Sequence, residues 1–172
     1  MHSIAWWPTV FVVIVASITD ICSRRIPNWL VLPFLAAGLV VSVAVGGWKG
    51  AERSILGILL AVALMGGLYW LGGMGMGDVK LCAAIGAWVG PIQLLMALTA
   101  MGMVGGVMAF FWALGKGSLK ASFGGAADLL FGVWRRGLRP HPTLVLANRE
   151  AQKMPYAPAI AAGAILSFLA QG

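Results

Sequence analysis

The chain has 172 residues, of which 60% are hydrophobic and only 10% charged, against roughly 25% charged in an ordinary soluble domain. Mean hydropathy is +0.92. These values exclude a disordered chain, a soluble nucleic-acid-binding domain and a secreted disulfide mini-protein, and they predict an all-α, polytopic helical membrane protein. A spanning helix takes about 20 mostly apolar residues, so six spans would use roughly 120 of the 172. The apolar runs are continuous and do not alternate with period two, which argues against a transmembrane barrel.

The first apolar run covers 4–19, with Trp6 and Trp7 near its outer end. No Lys or Arg precedes it, which argues against a cleaved signal peptide. Asp20 ends this run, and Arg24-Arg25-Ile26-Pro27-Asn28 forms a short loop, since Pro27 cannot continue a helix and biases Ile26 away from helical geometry. The second span covers 29–45, Gly46-Gly47-Trp48-Lys49-Gly50 reads as a turn, and the third span covers 54–71. A glycine-rich stretch, Gly72-Gly73-Met74-Gly75-Met76-Gly77, then leads into Asp78. The run from Val79 to Val89 is short for a span and ends at Gly90-Pro91, so 79–90 is either a short fourth span or half of a re-entrant pair. The fifth span covers 92–114 and the sixth 155–169, with a polar segment, 115–154, between them. Within that segment, Ala126 to Leu138 joins an apolar cluster to Arg135 and Arg136. It reads either as a helix lying on the headgroup surface or as a solvated loop. The whole chain, 1–172, reads as one membrane domain.

The net charge of +7 lies between the apolar runs. With the amino terminus outside, ten of the twelve basic residues face the cytoplasm and only Lys49 and Arg53 lie outside. The positive-inside bias therefore sets the orientation, and the basic charge needs no nucleic-acid partner. The two cysteines, Cys22 and Cys82, belong to no CxxC or Cys/His ligand set, so no metal site is expected. Both would lie at the cytoplasmic side, where thiols stay reduced.

Of the five acidic residues, Glu52, Asp128 and Glu150 read as ordinary solvated charge, whereas Asp20 and Asp78 abut apolar spans. An ionisable group at membrane depth costs on the order of 3 kcal/mol, so it usually has a partner or a function. The two could approach each other if spans one and three pack together. Close carboxylates cannot both ionise easily, so one keeps its proton and the pair can divide base and acid duties on an amide. The plainer reading is two independent interfacial aspartates, with Asp78 capping the helix that starts near Val79. The glycines before Asp78 permit positive φ and close approach of another backbone, and irregular backbone at membrane depth requires a protein or wet lining.

Three stretches carry a family resemblance: Asp20 with Arg24-Arg25-Ile26-Pro27-Asn28; Gly75-Met76-Gly77-Asp78-Val79-Lys80-Leu81 continuing to Gly90; and Met154-Pro155-Tyr156-Ala157-Pro158 continuing to Gly163. In this order they resemble the bacterial type IV prepilin peptidases, which belong to the GxGD intramembrane aspartyl proteases. The resemblance implies catalytic aspartates at Asp20 and Asp78, a flexible approach at Gly75 and Gly77, and a tuning role for Lys80, whose plainer reading is a basic anchor at the inner membrane face. It implies a membrane-inserted prepilin as substrate, cut after its basic leader at the cytoplasmic face of the inner membrane, with no cofactor. Larger members carry an extra cytoplasmic region with two CxxC pairs associated with N-methylation. Here the loop between the first two spans is short and holds no such pairs, which resembles the small six-span branch acting on Flp-type pilins of tight-adherence systems. Two other readings compete: a non-catalytic scaffold of a secretion apparatus, and a proton-coupled transporter subunit using the two acids as a relay. The single glycine-rich break and the lack of a visible repeat disfavour the transporter.

Overall fold

The computed structural model describes residues 2–23, 26–70, 74–115 and 157–169. They form five helices: α1 His2–Ser23, α2 Asn28–Trp70, α3 Met76–Val89, α4 Pro91–Gly115 and α5 Ala157–Leu169. Among the described residues there is no strand, so the all-α polytopic membrane architecture stands. By length and composition α1, α2 and α4 are each able to cross a bilayer. The surface-helix reading of Ala126 to Leu138 lies outside the described residues.

Helix α2 runs through the segment read as a turn. Only Gly47 leaves helical geometry, at φ 57° and ψ −138°, a region open to glycine. Residues on either side stay helical, so each limb satisfies its own backbone groups across the bilayer core. The bend divides α2 into limbs of about 28 and 34 Å at 1.5 Å per residue, each close to the thickness of a hydrocarbon core. The buried stripe of the first limb is Val31, Phe34, Gly38 and Ser42, and that of the second is Gly50, Ser54, Gly57, Ala61 and Met65. This spacing of three and four is one face of a helix. The opposite faces expose Leu32, Val40, Leu59 and Val62, as expected of surfaces that meet lipid.

Helix α3 lies at the centre and packs against all four of the others, most extensively against α2. Ten of its fourteen residues are buried, which makes it the core of the bundle despite a length of only about 21 Å. Small residues at Ala83, Ala84, Gly86 and Ala87 admit neighbours closely. At the crossing with α2, Gly86 meets Gly57 backbone to backbone, and a methyl group on either would collide with the other's carbonyl. Helices α4 and α1 pack on α5. Gly163 lets α5 sit against the backbone of Ala97 and Met101, and Trp6 meets Phe168 edge to face at 4.9 Å.

Exposed aromatic side chains gather at the ends of the long helices: Trp7 and Trp48 toward one end, Trp29, Tyr69 and Trp70 toward the other. Amphipathic rings at these positions are those that settle at headgroup level.

Candidate functional site

The buried residues of α1 follow one stripe: Ala5, Thr9, Val12, Val13, Ala16 and finally Asp20. The spacing of Asp20 from Ala16 keeps it on the core-facing side. Helix α1 continues to Ser23, so Asp20 sits in its last turns and does not terminate it. A carboxylate near a helix C-terminus is electrostatically disfavoured and needs a donor. The donor is the backbone N–H of Ala157, which reaches Oδ2 of Asp20 at 3.2 Å. The amino-terminal turn of α5 has spare N–H groups, and this one is spent on the acid.

Asp78 lies in the first turn of α3 and is 8% exposed, as is Asp20. The helix starts at Met76 with Gly75 as the capping residue, three positions earlier than a cap at Asp78 would require. Asp78 instead reaches back, accepting the N–H of Gly75 on Oδ2 at 3.3 Å, while its own N–H donates to the Gly75 carbonyl at 3.2 Å. An acid at this position is favoured both by that bond and by the helix dipole. Gly75 does not use the positive φ open to it and is extended at φ −80° and ψ 148°. What it provides is close approach. A Cβ on Gly75 would lie 3.2 Å from Oδ2 of Asp78, and one on Gly77 would lie 3.1 Å from Cβ of Ile26.

The partner that brings Asp78 toward Asp20 is the packing of α1 on α3, the fourth apolar run, where the sequence suggested the third. The two carboxylates lie within Coulombic reach of each other. Asp20, Asp78, Asn28 and Ala157 therefore gather at one end of the bundle, at the starts of α2, α3 and α5 and the finish of α1. Lys80 is turned toward the start of α2, where Nζ donates to Oδ1 of Asn28 at 3.1 Å. Cys82, one turn beyond Asp78, is buried; Cys22 is exposed; both are free thiols. Among the described residues no three His, Cys, Asp or Glu side chains gather closely enough to hold a metal ion.

Two participants were not visible in the sequence. The Ala157 amide is a backbone group, for which no side-chain motif exists. Arg53, read only as one of two basic residues on the outer side, donates through Nη2 to the carbonyl of Val89 at 2.8 Å, at the far end of α3.

The architecture and the paired acids define a polytopic helical membrane protein with two buried carboxylates at one end of its bundle. The chain belongs to the type IV leader peptidase family, whose model matches residues 7–113. It is 35% identical over 159 residues to the prepilin leader peptidase/N-methyltransferase of Bacillus subtilis (strain 168), covering 91% of this chain and 51% of that protein. A protein of the same description from Burkholderia pseudomallei (strain K96243) is 34% identical over 134 residues, covering 68% of this chain and 43% of the relative. Another from Xanthomonas campestris pv. campestris is 32% identical over 110 residues, covering 60% and 38%. The chain thus spans about half the length, or less, of the curated relatives it matches. No solved structure matches it.

Proposed function

We propose that this chain is a membrane-embedded aspartyl endopeptidase of the GxGD type that removes the basic leader from type IV prepilins, with the Flp-type pilins of tight-adherence systems as its substrates. Asp20 and Asp78 are the catalytic pair, and residues 1–172 act as one peptidase domain. The observation that supports this reading is that two buried acids, from α1 and α3, lie within Coulombic reach at one end of the bundle in a chain of this family.

The chemistry follows from two carboxyl groups sharing one proton. The ionised member takes a proton from water as its oxygen bonds to the scissile carbonyl carbon. The protonated member polarises the carbonyl oxygen, and a proton then passes to the amine as the C–N bond breaks. The Gly75 and Ala157 amides hold the two acids in place, so neither must reorganise when charge develops. Gly75 and Gly77 form the close-packed approach to Asp78. With the amino terminus outside, this end of the bundle faces the cytoplasm, where the leader of an inner-membrane prepilin would lie. Only the peptidase reaction is assigned, because the chain has two cysteines and no CxxC pair.

The test is cleavage of an Flp-type prepilin by the purified protein in lipid vesicles. Wild type releases one leader fragment, and a chelator leaves the rate unchanged. Asp20→Asn and Asp78→Asn, each folded by size exclusion, release none. Cleavage by both folded variants would refute the assignment and favour the scaffold reading.

A further inference from the structure

Arg53 has no part in the chemistry just described and stands at the opposite end of α3 from Asp78. We infer that Arg53 is a positioning residue that sets the register of Asp78 by clamping the carboxyl end of α3; this rests on the reading of Asp78 as catalytic.

The chain entering α3 is glycine-rich, with Gly72, Gly73, Gly75 and Gly77 before Asp78. The end leaving it is held by α2 at three successive residues. Ser42 Oγ donates to the carbonyl of Ala87 at 3.1 Å, and Arg53 Nη2 donates to that of Val89 at 2.8 Å. Between them Trp88 donates through Nε1 to the carbonyl of Phe34 at 2.9 Å and stacks on the Phe34 ring at 5.1 Å. The last carbonyls of a helix have no partner within it and take donors from elsewhere. Arg53 supplies the donor and places positive charge at the negative end of the helix dipole. The site is shaped for it: Gly90 has φ +80°, and a Cβ there would lie 2.5 Å from Nε of Arg53. Any side chain at that position would push the guanidinium away.

A short buried helix moves as a rod. Asp78 and Val89 are eleven residues apart, or about 16 Å along the axis, so slip at one end arrives at the other undiminished. Misplacing a reacting group by about 1 Å can cost on the order of 100-fold in rate. At the Asp78 end, Gly77 rests against Ile26, and that contact reports the register directly.

The experiment compares Arg53→Met, which keeps the stem and removes donor and charge, with Arg53→Lys, which keeps both in part. One readout is kcat and KM for prepilin cleavage in vesicles. The other, independent of activity, is the rate of disulfide formation between cysteines placed at Ile26 and Gly77 in a Cys22→Ser background. Their Cβ separation of 3.1 Å is near the range a disulfide requires. Arg53→Met should lower kcat about tenfold or more with KM within about twofold, and slow the cross-link at least about threefold; Arg53→Lys should restore most of both. Ser42→Ala should act in the same direction to a smaller extent, and it decides the matter should Arg53→Met not fold. Unchanged cross-linking in a folded Arg53→Met protein would overturn this role alone. Cleavage by folded Asp78→Asn would overturn the catalytic reading beneath it.

Discussion

The amide of Ala157 donates to the carboxylate of Asp20 at 3.2 Å, joining residues 137 positions apart. The bond ties the end of α1 to the start of α5 at the candidate site. Loss of a donor to a buried carboxylate costs about 1–3 kcal/mol. Ala157→Pro removes the N–H at a position where the first turn of a helix tolerates proline, and adds ring carbons at a fully buried site. Its expected effect is a fall in cleavage rate on the order of tenfold, whereas Ala157→Gly, which keeps the amide, retains activity. Initial rates in vesicles check both.

The crossing of Gly57 and Gly86 has no room for a side chain. Gly86→Leu is expected to destabilise by more than about 3 kcal/mol, the range of severe overpacking in a core. Gly67, which meets nothing within 4 Å, gives the contrast. Gly67→Ala should be neutral or stabilising by up to about 1 kcal/mol. Thermal unfolding in detergent distinguishes the two.

Trp88 combines a ring stack with a hydrogen bond. Trp88→Phe keeps the stack and loses the bond, for an expected cost of about 1 kcal/mol. Trp88→Ala loses both and should cost about 3–5 kcal/mol. Denaturant titration of the two variants separates the contributions.

The bond from Lys80 to Asn28 is exposed. Lys80→Met should shift stability by less than about 1 kcal/mol, the scale of exposed polar pairs. Cleavage should fall by less than about tenfold, far short of the loss in Asp78→Asn, if Lys80 anchors α3 and does not serve the acids. Parallel rate measurements on the two variants provide the check.

The apolar limbs were legible in the sequence because a bilayer demands long uninterrupted runs, and the two acids stood out because charge is rare within them. The shape of the entry to α3 was not. A cap at Asp78 and a helix beginning at Met76 place the same acid beside the same glycines, and they differ only in which N–H the carboxylate accepts. Gly47 looked like part of a five-residue turn because glycine composition marks a bend without giving its length. The clamp by Arg53 spans 36 positions and carries no periodic signal. One clue to the central place of α3 was present: the run Ala83, Ala84, Gly86, Ala87 is too small-sided for a helix that faces lipid.

The partnering of the helices has a bearing on how the protein is made. Helices α2 and α3 are neighbours in the chain and can associate as soon as both have left the ribosome. Helix α1, which precedes both, packs mainly on α5, well over a hundred residues later in the chain. Its inward stripe, ending in a carboxylate, must therefore wait in the membrane until α5 has been made. A nascent chain stalled before Ala157 would present that unpaired acid to the quality-control proteases of the bilayer.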